Sequence, residues 1–414
     1  MKVYHAVLDQ LIGSGVEYFS GMIGSTSAPY AATLADRNDM RYVGVRHEQT
    51  AAAILDATGR LTGKPGCLMV HGASGLLAAS AGIASAALDS TPMFVLSATQ
   101  ERRAMENGWW QTMNVQTPLR DVLKWQRRAE RPDQAVEAVR RALRETVSGK
   151  PGIAQVDLPI DVSADDLGTD DVPEPVLLAA PLHRTYPGPA EVSAAADLLS
   201  GAERPVLLVG GGAVYSGAER ELVKLAERLH MPVVNSPTSR HAMPETHPLV
   251  LGPSGIVGYE PVGDAIREAD LVLAIGSRLS DLQTARGALL PDGAPIVQVD
   301  IDSAAIGENH NVTVGIAADA RSFAEALNAV LDGRTIDVPA ARRDWADSLA
   351  TRIADWQQAW FDATPQNGKV QPQEVVQALM TLPAETIFTH GAGDHGFYGY
   401  MVPVAAPGAH LVST

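Results

Sequence analysis

The chain has 414 residues, 46% of them hydrophobic, with a formal net charge of −16 and a pI near 5.1. That length exceeds a single core, so two to three domains are expected. The negative balance repels nucleic acid and anionic membrane, no run approaches the roughly 20 apolar residues a membrane helix needs, and a small-molecule role in the cytoplasm is the expectation.

From the start to about residue 162, short β-branched runs at 15–19, 41–45, 66–70, 93–97 and 152–158 alternate with helical patterns. Such alternation predicts an α/β, doubly wound domain of parallel strands joined by crossover helices over 1–165. The one cysteine, Cys67, falls inside the apolar run Cys67-Leu68-Met69-Val70, which excludes an internal disulfide and reads as a small core residue. Residues 166–189 are rich in Pro, Asp and Leu without periodicity and read as a linker over the surface.

A second α/β unit is predicted over 190–332. It has helices at 190–199 and 218–229, and strands at 205–209, 232–234, 271–275 and 295–300. Its first strand runs into Gly210-Gly211-Gly212, a turn that permits close backbone approach, while Asp300 or Asp302 could take a ribose hydroxyl. A linker region, helical from about residue 342, fills 333–370. The segment 371–414 starts a third unit with a helix at 372–382 and a strand at 385–389. So small a unit cannot bury a core of its own, so it is either incomplete or docked on something else.

The stretch Val45-Arg46-His47-Glu48-Gln49 stands between a strand and an Ala-rich helix. Further on come Leu88-Asp89-Ser90-Thr91-Pro92, then Lys150-Pro151-Gly152 with Val156-Asp157-Leu158-Pro159 and Asp161-Val162. The middle unit adds Gly210-Gly211-Gly212, Met231-Pro232-Val233-Val234, His247-Pro248, Gly276-Ser277-Arg278 and Gln298-Val299-Asp300-Ile301-Asp302. In this order the motifs resemble the thiamine diphosphate-dependent superfamily of acetolactate synthases, pyruvate oxidases and decarboxylases, over nearly the whole chain. The resemblance implies a pyrimidine-binding domain first, a Rossmann-like central domain second, and the opening of a diphosphate-binding domain third.

The same resemblance implies that Glu48 activates the cofactor. A carboxylate that shares its proton with the aminopyrimidine ring drives the tautomer that deprotonates the thiazolium carbon, while the carbanion chemistry belongs to the cofactor. As a bare sequence feature, outside this order of motifs, Glu48 reads as an exposed helix-start acid favoured by the macrodipole. His47 reads as a proton-transfer group or a structural donor. Where relatives carry a glycine-proline-glycine turn, Ala73-Ser74-Gly75 stands, and their asparagine falls on Ala78. Gly24 and Gly75 line the implied pocket. His71, at a strand's C-terminal end, could orient a carbonyl or a water, or bond to backbone. With the turn Gly24-Ser25-Thr26-Ser27 it resembles, over a few residues, the members that hydrolyse a cyclic dione. Trp110 and Gln111 occupy the place of the family's substrate-side aromatic and amide, with packing and surface roles as their alternatives.

The central domain, with Gly210, Gly211, Gly212, Arg278 and Asp300, holds FAD or ADP in some relatives and nothing in others. Magnesium should accompany the diphosphate, yet no glycine-aspartate-glycine motif with a later asparagine is present, so metal ligands are not expected in this chain. Gly393 and His395, within Gly391-Ala392-Gly393-Asp394-His395, match the family's opening loop near the diphosphate. Three explanations stand: a fragment of a longer enzyme, one half of a split enzyme, or a non-catalytic, nucleotide-binding homologue. Activity on a 2-oxo acid is the leading expectation, in a homodimer or homotetramer because relatives build the site between subunits.

Overall fold

The computed structural model describes residues 1–168, 172–365, 368–391, 393–404 and 410–412. Two compact units emerge, Met1–His183 and Arg184–Thr414.

The first unit is built on six strands: β1 (Tyr18–Gly21), β2 (Arg41–Gly44), β3 (Gly66–His71), β4 (Met93–Thr99), β5 (Trp125–Arg128) and β6 (Ile153–Pro159). All neighbours are parallel, in the order β2-β1-β3-β4-β6-β5. The pleat sends alternate side chains to opposite faces. Cys67, Met69, Phe94 and Leu96 therefore pack with helices Val3–Gly13 and Pro132–Val147, while Leu68, Val70, Met93 and Val95 pack with helices Glu48–Thr62 and Gly72–Leu88. Both faces being covered explains why β4 and β6 are buried throughout and β3 is buried up to its last residue, His71. Burial pushes the Cys67 thiol up in pKa, as suits an inert core residue.

After β6 the chain runs without regular helix or strand from residue 168 to 188 among the described residues, yet it is not loose. Leu167 and Leu178 are buried in the first core, the Leu182 amide donates to Val147 O at 2.9 Å, and the Val176 amide donates to Ser14 Oγ at 3.1 Å.

The second unit carries β7 (Pro205–Val209), β8 (Val233–Asn235), β9 (Val250–Pro253), β10 (Leu271–Ile275), β11 (Ile296–Asp300) and β12 (Val314–Ala317) in the parallel order β12-β11-β10-β7-β8-β9. A separate parallel pair joins β13 (Phe388–His390) to β14 (His410–Val412). Helix Ala340–Asp362 buries Leu349 and Ile353, and its Arg342 is fully buried with no carboxylate hydrogen-bonded to it among the described residues. Arg342 donates instead to the carbonyls of Leu199, Ala202 and Leu229, at the C-terminal ends of helices Pro189–Gly201 and Glu219–Leu229. A cation there meets the negative end of two helix dipoles, although burial lowers its pKa.

The segment after residue 371 docks within this unit: Val376, Tyr400, Met401 and Val402 join the same apolar cluster as β7, β10 and helix Glu260–Glu268. A buried ion pair fastens it. Arg240 Nε donates to Glu245 Oε1 at 2.7 Å and Nη2 donates to Val402 O at 2.9 Å, while Glu245 Oε2 accepts from the Val404 amide at 2.9 Å.

Candidate functional site

In the first sheet the chain leaves β1 on one side to form β2 and crosses to the other side to form β3. Loops leaving adjacent parallel strands in opposite directions open a crevice over their C-terminal ends, the usual ligand position of such sheets. The turn after β1, the segment Val45 to Glu48 after β2 and the segment after His71 all arise at this edge.

Glu48 is the first residue of helix Glu48–Thr62, half-buried, where the positive end of the helix dipole favours a carboxylate. His47 is the N-cap: its Nδ1 accepts from the Gln49 amide at 3.2 Å, so in this contact the imidazole serves the helix start as an acceptor and not as the structural donor weighed above. Helix Gly72–Leu88 packs beside it at glycine distance. A Cβ on Gly82 would lie 2.7 Å from Ala52 Cβ, and one on Gly75 would lie 3.3 Å from Glu48 Oε1. The carboxylate has no hydrogen-bond partner among the described residues, so its lone pairs are available to a ligand beside Gly75.

The far end of the same helix is anchored by charge. Arg60 Nη2 reaches Asp56 Oδ2 at 2.9 Å and also pairs with Asp89, and Thr91 Oγ1 donates to Asp56 Oδ1 at 2.6 Å. Arg60 is nearly buried, so the network is screened little. The Leu88-Asp89-Ser90-Thr91-Pro92 stretch thus acts here as a tie between the two helices that frame Glu48, a role sequence reading left unassigned.

His71 ends β3 and caps helix Gly72–Leu88. Its Nδ1 lies 2.6 Å from Thr26 Oγ1, and its Nε2 lies 2.7 Å from Gln111 Oε1. Thr26 Oγ1 is in turn 2.5 Å from Ala98 O, at the end of β4. Gly24 is required by this ring, because a Cβ there would stand 2.3 Å from His71 Cγ. Gln111 has φ of 59°, a left-handed conformation that costs a residue with a side chain roughly 1–3 kcal/mol and is held only by its surroundings. Sequence analysis named His71 and Gln111 separately, and the fold brings them into contact. Trp110 is not part of the cluster; 67% of it is exposed.

The remaining candidates belong to the second unit. Gly210 and Gly212 lie at that sheet's own crossover, between β7 and β10, where the Gly210 amide donates to Ile275 O and the Gly212 amide to Gly276 O, both at 3.0 Å. Cβ atoms on them would meet Gly276 O at 2.2 Å and Gly276 Cα at 2.8 Å, so backbone packing alone accounts for these two glycines; Gly211 faces open space. Arg278 is exposed, and Asp300 Oδ1 accepts from the Asp302 amide at 2.9 Å. Gly393 precedes helix Asp394–Gly399, His395 is exposed beside it, and Ala392 lies outside the described residues. Among the described residues no group of three or more His, Cys, Asp or Glu side chains converges to hold a metal. No helix among them is long and apolar enough to cross a membrane.

Comparison with known proteins agrees with this geometry. Residues 1–119 match the thiamine pyrophosphate enzyme N-terminal TPP binding domain, and residues 192–327 match the thiamine pyrophosphate enzyme central domain. The chain is 32% identical to a probable acetolactate synthase large subunit of Methanocaldococcus jannaschii over 92% of its own length and 64% of the relative's. It is 30% identical to an acetolactate synthase large subunit of Parasynechococcus marenigrum, over 94% and 63% of the two chains. It is also 29% identical to a sulfoacetaldehyde acetyltransferase of Rhodobacter capsulatus, over 99% and 71%. The chain therefore spans just under two thirds of the length of the synthase subunits it matches. It carries the N-terminal and central domains of a thiamine diphosphate-dependent enzyme and belongs to that superfamily.

Proposed function

We propose that the first unit supplies the aminopyrimidine side of a thiamine diphosphate site in an acetolactate synthase-like enzyme that acts on a 2-oxo acid. The observation that carries this reading is the Glu48 carboxylate, half-buried at the sheet's crossover and facing a glycine on the neighbouring helix, with no hydrogen-bond partner among the described residues. A ring nitrogen would fit beside Gly75, where a Cβ would stand 3.3 Å from Glu48 Oε1.

The chemistry supplied by thiamine diphosphate is a nucleophilic carbon and an electron sink. Glu48 holds or shares the proton of the ring nitrogen, and the Arg60–Asp56–Asp89 tie keeps its helix in place while it does so. His71 and Gln111 form the polar wall across the crevice, positioned to orient the oxygen of a reactant. Magnesium has no comparable fit among the described residues, so no step is assigned to it. The diphosphate and metal half comes, in this reading, from a domain of another subunit, in a homodimer or homotetramer.

Calorimetric titration of the chain with thiamine diphosphate and magnesium tests the proposal, wild type against Glu48→Gln. A hydrogen bond to a charged group contributes about 1.5–3 kcal/mol, so the substitution should weaken binding at least about tenfold. Binding that is indifferent to Glu48→Gln removes the assignment.

A further inference from the structure

Three short contacts meet at one hydroxyl and one imidazole: Thr26 Oγ1 to Ala98 O at 2.5 Å, Thr26 Oγ1 to His71 Nδ1 at 2.6 Å, and His71 Nε2 to the Gln111 amide at 2.7 Å. Electronegative atoms this close need a proton between each pair. The Ala98 carbonyl can only accept, so the single hydroxyl proton of Thr26 goes to it. The proton between Thr26 and His71 must then come from the ring, with Nδ1–H donating to Oγ1. The competing arrangement leaves Nδ1 bare to accept from the Thr26 hydroxyl and, at 3.4 Å, from the Thr26 amide. It would set Thr26 Oγ1 and Ala98 O face to face at 2.5 Å without a proton, and the longer, weaker contact cannot offset that.

The third proton comes either from Nε2, making the ring a cation, or from the amide of Gln111. The hydrogen bonds of His71 go only to Thr26 and Gln111 among the described residues, with no carboxylate to balance a cation on a half-buried ring. A neutral ring requires the Gln111 NH2 to point at Nε2; the two ends of a carboxamide are interchangeable in shape, and the hydrogen-bond network decides between them. The Gln111 carbonyl oxygen then takes the other position, which has no protein partner among the described residues.

We infer that Thr26 is a positioning residue: by accepting from Nδ1–H it fixes the tautomer of His71, which turns Gln111 so that it offers a carbonyl oxygen, an acceptor, to the bound reactant. The inference rests on the reading of this crevice as the reaction site. It specifies the recognised group as a donor, such as a hydroxyl, in place of a bare carbonyl oxygen.

The test is the nitrogen-15 NMR spectrum of ring-labelled histidine in the whole chain at pH 8 without cofactor, with His71 assigned by difference against His71→Gln. The wild type should show a neutral ring protonated at Nδ1. Thr26→Ser and Gln111→Leu should keep that tautomer, whereas Thr26→Val should move the proton to Nε2. A wild-type ring protonated at Nε2 or at both nitrogens overturns the inference, as does an unchanged tautomer in Thr26→Val. Should the valine variant fail to fold, the wild-type and Gln111→Leu spectra still decide. No thiamine diphosphate is present, so failure of the cofactor assignment and failure of this inference are read separately.

Discussion

The two sheets share a plan and differ at one edge. Each is six-stranded and parallel, and each has a crossover where the chain passes to the other side of its first strand, between β1 and β3 in the first unit and between β7 and β10 in the second; the first sheet turns back once more, from β5 to β6. At the first crossover the loops carry the polar side chains of Glu48 and His71, and the loop after β4 brings Gln111 against His71. At the second, Gly210 and Gly212 press against Gly276, backbone on backbone, and beyond β8 the buried Arg240–Glu245 pair binds the chain's own segment at Val402 and Val404. The same kind of crossover therefore makes a polar crevice in one unit and a packed seam in the other. Residue choice at the strand ends, and not the sheet, decides which.

The comparison breaks most visibly at Glu48. In a competent holoenzyme, Glu48→Gln should lower hydrogen–deuterium exchange at the thiazolium carbon about 10²–10⁴-fold, the usual range for a lost acid–base group. Its unfolding free energy should stay within about 0.5 kcal/mol of wild type. Exchange at the wild-type rate would return Glu48 to the rank of an ordinary helix-start acid.

In the second unit the same kind of substitution should cost stability. Arg240→Leu leaves Glu245 buried and unpaired, and denaturant titration should register a loss of about 3–5 kcal/mol, with faster amide exchange at Val404. An unchanged midpoint would mean that the pair does not hold the 399–404 segment.

Glycine substitutions sharpen the contrast. Gly276→Ala would force a side chain into φ of 62° with Cβ 2.4 Å from the Ala213 nitrogen, and should destabilise by about 2–5 kcal/mol while the His71 ring signals remain as they are. Gly24→Ala should do the reverse, costing about 1–3 kcal/mol and shifting those signals, because its Cβ overlaps the imidazole. Identical NMR responses in the two variants would erase the distinction between seam and crevice.

The smallest effect concerns Asp157, next to the first crevice on β6. Burial raises its pKa, against the opposing pull of Arg128 and the Thr99 hydroxyl. A raised folded-state pKa contributes stability below the unfolded value of about 3.9, and that contribution is lost as pH rises through the folded value. Denaturation midpoints of Asp157→Asn relative to wild type should therefore move in favour of the variant as pH climbs from below about 4 to 7. A difference that is flat in pH, or slopes the other way, would mean that Arg128 outweighs burial.

Much of the fold is legible in the sequence. The runs at 205–209 and 271–275 coincide with β7 and β10, because strands buried on both faces must be apolar throughout. The strands of the two six-stranded sheets that reading passed over are β5, β9 and β12, and all three are edges. Trp125-Gln126-Arg127-Arg128 looks polar because an edge strand half-faces solvent, and Val250-Leu251-Gly252-Pro253 breaks its pattern with a glycine and a proline an edge tolerates. The stretch 166–189, read as a linker over the surface, is held down by Leu167 and Leu178, too few apolar residues to leave a period.

What the sequence determined by itself is the set of local facts: parallel strands alternating with helices, a carboxylate opening a helix after β2, a histidine closing β3, and glycines where backbone must pass closely. What only the tertiary structure decided is who meets whom. Thr26, His71 and Gln111 are separated by 45 and 40 residues, and no periodicity relates them. Their contact exists because β1 and β3 are neighbours in the sheet and the loop carrying Gln111 is held in a left-handed turn against them. A proton shared across such distances in sequence is fixed by the packing of whole strands, which no single segment encodes.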